Sequence, residues 1–201
     1  MSKFITASRV ALAAAVVLAA CAGDSTAPTP IEKPASDLHF LRLSATAPAL
    51  QATTVSFYAK KGEDREVRVR FQNGEDYLRF RVFGNSLAQR PDGSAFAQGD
   101  SILITITVTD PTKLAADFQP AGLKFSASAP ARLQFEFGEC DKDLNGDGVV
   151  NAADTALIPL ISTWRQETAS APWVKIGSTV EVEINEVQAD ILGFTGYALA
   201  Y

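Results

Sequence analysis

Residues 143 to 154 read DLNGDGVVNAAD, with an oxygen-bearing side chain at every second place through the first half. Counting Asp143 as position one, Asn145 stands at three, Asp147 at five, Asn151 at nine and Asp154 at twelve, with Gly148 at six. A calcium ion takes six to eight oxygen ligands within about 2.3–2.6 Å, and a short loop supplies them by turning sharply at a glycine while alternate side chains point inward. The spacing therefore suits calcium, with Val149 at position seven offering its backbone carbonyl and Asn151 ligating directly or through water. Val150, at position eight, is expected to pin the loop against a core. Glu139 and Asp141 precede the loop and read as surface charge. The alternative is a solvated acidic turn that binds nothing.

The pattern resembles the calcium loop of dockerin repeats, where the twelfth ligand is Asp, more than loops of the calmodulin EF-hand type, where it is Glu. A dockerin carries two such repeats, each followed by helix. This chain has one, and Pro159 limits the following helix to about residues 152–158. Docking to a cohesin is not expected.

Cys21 is the second residue with chemistry to offer. Lys3 and Arg9 precede the apolar run Val10 to Ala20, which is too short to cross a membrane and has the form of a signal peptide over residues 1–20. It ends Leu18-Ala19-Ala20-Cys21, which resembles the bacterial lipobox. The resemblance implies that the Cys21 thiol is acylated and becomes the first residue of the mature chain, with ordinary secretion and cleavage near Ala20 or Ala22 as the alternative. Removal of Lys3 and Arg9 leaves 16 basic against 23 acidic residues, a formal charge of −7. No basic patch is expected to hold the membrane, so the lipid must be the anchor. An acylated Cys21 also leaves Cys140 without a partner in the chain. Ala22 stands where the sorting rule of enteric bacteria would place Asp for inner-membrane retention. The expected location is thus the cell envelope, in the outer membrane where the organism has one and follows that rule.

Other chemistries find little support. With a single His, His39, and no Gly-x-Ser-x-Gly elbow, a Ser-His-Asp site lacks its parts. One His and one unlipidated Cys cannot complete a tetrahedral zinc site. The glycines near Gly146 sit among acids that would repel phosphate, and the net charge of −5 speaks against a nucleic-acid groove. Paired carboxylates could hydrolyse a glycan, but nothing selects a pair among 23 acids. No catalytic residue is assigned.

The elements that must hold these residues read as strands. Residues 22–36 contain Pro28, Pro30 and Pro34 among small polar residues and read as an extended tether. The domain is expected over residues 37–201, with the calcium-loop insertion at about 138–160. Val67, Val69 and Phe71 alternate with Arg68 and Arg70, and Leu78, Phe80 and Val82 with Arg79 and Arg81. The same period of two runs through Ile102, Ile104, Ile106 and Val108, through Leu133, Phe135 and Phe137, and through Val180, Val182 and Ile184. Turn signals separate the runs at Asn73-Gly74, Pro91-Asp92-Gly93, Gly99-Asp100 and Asp110-Pro111. The expectation is all-β: an antiparallel β-sandwich with one short helix at the loop, burying Val67, Val69, Phe80, Ile104, Ile106, Phe135 and Val182.

Phe118, Pro120, Gly122, Leu123 and Phe125, together with the ending Phe194-Thr195-Gly196-Tyr197-Ala198, resemble domains of the ZU5 type. The likeness covers residues 67–201 with the insertion, and implies a β-sandwich interaction or structural module without catalytic residues. The expected function is that of a membrane-anchored, exported lipoprotein presenting a calcium-stabilised binding or structural module to an envelope protein or a glycan. A cell-envelope hydrolase is the alternative. A third reading makes the chain one subunit of a surface assembly, to which Trp164, Trp173, Phe194, Tyr197 and Tyr201 would supply contacts, although aromatics at these alternations are more often sandwich core.

Overall fold

The computed structural model describes residues 29–201. The signal peptide, the lipobox and Cys21 lie outside the described residues. Strand β1 (Glu32–Lys33) is followed by β2 (Thr54–Lys60), β3 (Arg65–Arg70), β4 (Asp76–Val82), β5 (Leu87–Gln89), β6 (Ser101–Thr107), β7 (Ala115–Gln119), β8 (Lys124–Phe125) and β9 (Ala131–Glu136). Helix α1 (Ala152–Thr155) precedes β10 (Ser162–Gln166), β11 (Trp173–Lys175), β12 (Ser178–Glu181), β13 (Glu186–Ile191) and β14 (Gly196–Ala200).

The strands form a seven-stranded sheet ordered β1-β11-β10-β14-β7-β6-β2, a five-stranded sheet ordered β12-β13-β9-β4-β3, and the small pair β5-β8. Every named pairing is antiparallel. This is the all-β sandwich expected from the period of two. In β9, Ala131, Leu133 and Phe135 are buried and Arg132, Gln134 and Glu136 are not. In β6, Ile104 and Ile106 point in while Leu103 is exposed.

Aromatic rings tie the two sheets together. Phe80 of β4 meets Phe118 of β7 edge-on at 5.2 Å and Phe57 of β2 at 6.3 Å, contacts that add to the area each ring removes from water. Tyr77 of β4 is fully buried, and its hydroxyl donates to the Lys113 carbonyl at 2.7 Å and accepts from the Ala115 amide at 2.8 Å. A buried phenol needs such partners, and here they come from β7 of the opposite sheet and the turn just before it.

Three expectations are corrected. The strand through Val180 stops at Glu181, because β12 and β13 pair with Glu181 opposite Glu186 and residues 182–185 must make the hairpin turn. Val182 and Ile184 lie in that turn, 49% and 52% exposed, and Val67 is only half-buried. Part of the expected tether is structured, since Glu32 and Lys33 pair with Val174 and Trp173. The helix is also shorter than residues 152–158. A proline at 159 has no amide for the Thr155 carbonyl and crowds it, so α1 ends at Thr155 and the chain continues as a 3₁₀ turn over Ile158–Leu160.

Candidate metal centre

The segment from Asp143 to Asp154 joins β9 of one sheet to β10 of the other, at one end of the sandwich. Its side chains have turned inward onto the loop's own amides. Asp143 Oδ1 accepts from the amides of Gly146 at 2.9 Å and Asp147 at 3.1 Å, and Oδ2 from Gly148 at 2.7 Å. Asn145 Oδ1 accepts from the Asp147 amide at 2.9 Å. Asp147 Oδ1 accepts from the Val149 amide at 2.8 Å, and its Oδ2 from the Asn145 side-chain amide at 3.0 Å. Gly146 and Gly148 take φ values of +73° and +84°, which a glycine adopts without the clash a Cβ would bring.

Asp154 closes the ring. Its carboxylate is buried, with Oδ1 accepting from the Asn145 amide at 3.0 Å and Oδ2 from the Asn151 amide at 2.8 Å. The Asn145 bond spans the loop from position twelve to position three. The Asn151 bond is half of a capping box, whose other half runs from the Asp154 amide to the Asn151 side chain, and the Ala153 amide also donates to Asn151 Oδ1 at 2.7 Å. Amide bonds from Asn145 and then Asn151 hold the Asp154 carboxyl below its ordinary pKa, so it is ionised at neutral pH.

The sequence-derived ligands thus share one loop, but two details differ from expectation. Val150 is 64% exposed and pins nothing, although it borders a cavity of about 230 Å³ with Leu41, Phe137, Ile158 and Ile161. The Val149 carbonyl already accepts the Asn151 side-chain amide at 2.9 Å. Among the described residues no group of three His, Cys, Asp or Glu side chains is gathered as a ready metal site. The carboxylates are spread around the ring as acceptors of its amides. A carboxylate offers about four lone-pair positions, so those of Asp147 and Asp154, each bonded once per oxygen, retain capacity facing away from the amides. The donor set consists of oxygens alone, the chemistry of a hard cation such as calcium.

Tyr201 is the residue at this site that sequence reasoning did not connect to it. Its hydroxyl donates to the Leu144 carbonyl, and its ring stacks on exposed His39 with centroids 5.2 Å apart. Burial first, and then the charges of Asp154 and Asp143, raise the Tyr201 pKa. Backbone bonds fix the loop's root, from the Asp141 amide to the Arg42 carbonyl at 2.9 Å and between Leu43 and Cys140. No sequence signal links a residue at position 201 to a loop at 143. Neither protein-family models, nor curated proteins, nor solved structures yield a match to this chain.

Proposed function

We propose that the chain is an exported lipoprotein, anchored through acylated Cys21, that presents a calcium-stabilised β-sandwich as a binding or structural module at the cell envelope. The observation that carries the calcium part is the pre-closed loop: Asp154 reaches back to Asn145 across nine residues, and all three carboxylates sit on one ring of twelve. Asp143, Asn145, Asp147, the Val149 carbonyl, Asn151 and Asp154 would hold the ion, which supplies positive charge to a ring of three negative groups. Because the loop spans the two sheets, ordering it restrains β9 against β10. A ligand that binds only the folded state stabilises that state by mass action.

The test is a melting curve with and without calcium. Modules outside the cell commonly bind calcium with dissociation constants of about 10⁻⁴ to 10⁻³ M, so a few millimolar should raise the Tm. Magnesium should do little, since it holds a tighter octahedral shell and sheds water reluctantly. A melting curve unmoved by calcium, with no heat of binding, would make the loop a structural turn.

A further inference from the structure

We propose that the outer face of the seven-stranded sheet carries a saccharide-binding cleft centred on Asp117, Gly196, Gln166 and Trp173. The proposal rests on reading the chain as a displayed binding module and names the chemistry of what it binds. One cross-strand row builds the cleft: Trp173 of β11 lies opposite Gln166 of β10, Gln166 opposite Gly196 of β14, and Gly196 opposite Asp117 of β7. Residues directly opposite one another share a face, so the three side chains project together. Between them Gly196 leaves a gap. A Cβ there would lie 2.9 Å from Asp117 Oδ1, so the carboxylate leans over the open floor at glycine and a larger residue would push it aside. Phe40 meets Trp173 edge-on at 5.2 Å and extends the aromatic wall. The cleft encloses about 560 Å³, within the usual range for small-molecule sites. At about 4.8 Å per strand, Trp173 and Asp117 stand about 14 Å apart, which suits a short chain of rings.

The polar groups choose the ligand. Among the described residues Asp117 makes no ion pair or side-chain hydrogen bond, unlike the exposed carboxylates of Asp64, Asp92 and Asp100. Desolvation by its surroundings raises the Asp117 pKa. The Gln166 amide nitrogen donates to the carbonyls of Ala169 and Ala171, leaving its oxygen free, while Gln119 accepts from the Ala121 amide and leaves its nitrogen free. The cleft therefore holds out acceptors at Asp117 and Gln166 and a donor at Gln119. Hydroxyl groups, each donor and acceptor at once, match that mixture, and the C–H face of a sugar ring matches Trp173. A cation would use the acceptors alone. A peptide would want a strand edge, whereas β7, β10 and β14 are paired on both sides.

The test uses the mature full-length chain in detergent micelles with calcium present, titrated with cellohexaose, maltohexaose or chitohexaose to about 10 mM, a range that detects millimolar binding. The protein has two Trp, and Trp164 is buried with its indole N–H on the Ala200 carbonyl at 3.1 Å, so a change in fluorescence reports on Trp173. Saturable binding of at least one saccharide is expected, weakened about tenfold by Asp117→Asn through loss of charge-assisted bonds and likewise by Gly196→Ala. Asp117→Asn is nearly isosteric and keeps the test sound if Trp173→Ala fails to fold. Asp147→Ala, in the calcium loop, should leave saccharide affinity unchanged. Absence of binding by all three, binding indifferent to Asp117→Asn, or Asp117-dependent capture of tetralysine in place of saccharides overturns the proposal. A calcium-dependent Tm that persists without saccharide binding would sink the cleft and leave the calcium reading standing.

Discussion

Asp143 accepts three of the loop's amides, those of Gly146, Asp147 and Gly148, whereas Asp147 accepts the amide of Val149 and the side chain of Asn145. The two carboxylates should therefore differ when removed. Asp143→Ala takes away the partner of the Gly146 and Gly148 amides, while the Asp147 amide keeps its bond to Asn145 Oδ1. It should lower the Tm even without calcium, by about 0.5–1.5 kcal/mol per lost bond, since these amides lie on exposed residues that water reaches. Asp147→Ala should cost less in the absence of metal. Both should abolish the rise in Tm expected of the wild type with calcium, and a variant that keeps that rise would remove its residue from the proposed ligand set. Cys140 allows a separate prediction. It is buried and pairs with no cysteine among the described residues, and desolvation pushes its thiol up to about 12. The thiolate is the reactive form, so Cys140 should resist alkylation at pH 8 in the folded protein and react within minutes in denaturant. Because the folded pKa lies above the unfolded value, this group's contribution to stability is complete below the unfolded pKa and falls as pH rises from there towards 12. Rapid native labelling would show the site to be open.

Tyr201 shows how an element at one end of the chain controls another. It follows β14, whose neighbours in the sheet are β10 and β7, and it holds the Leu144 carbonyl. Tyr201→Phe keeps the ring over His39 and removes only the hydroxyl. It should cost about 1 kcal/mol and weaken calcium several-fold, because the loop's entry would then have to be ordered by the ion. An unchanged calcium affinity by calorimetry would refute the coupling. The same contrast of scales explains what the sequence disclosed. The candidate ligand ring lies within twelve consecutive residues, so its spacing is visible without a fold. Strands β3, β4, β6 and β9 are visible because one face of each is buried and the other wet, as in Leu133, Phe135 and their neighbours. Strand β1 and the end of β12 are not, because pairing with Trp173 and the hairpin at residues 182–185 decide them. The cleft is least visible of all. Its row takes one residue from each of β7, β14, β10 and β11, none with a neighbour in sequence that shares its task.

For the whole molecule, the surface charge leaves the proposed anchoring to the lipid alone. Cleavage before Cys21 would leave the chain a formal −7, and on the five-stranded sheet the arginines are largely answered by acids. Asp76 accepts from Arg68 at 3.0 Å and Arg70 at 2.9 Å, while Arg79 reaches the buried Glu186. Such a surface gains nothing from an anionic membrane, where each unpaired basic residue would contribute about 1 kcal/mol. No helix among the described residues is long and apolar enough to cross a bilayer. The eleven residue steps from Cys21 to Glu32 can extend at most about 40 Å, so a lipid on Cys21 would keep the sandwich within that distance of the membrane surface. Washing membranes with 1 M salt, which shrinks the screening length to about 3 Å, should release none of the protein. Cys21→Ser should place the chain in the soluble fraction or leave it as an unprocessed precursor. Salt-released wild-type protein would mean that the surface and not the lipid holds it. Wild-type protein recovered in the medium with an unmodified amino terminus would mean that Cys21 carries no lipid.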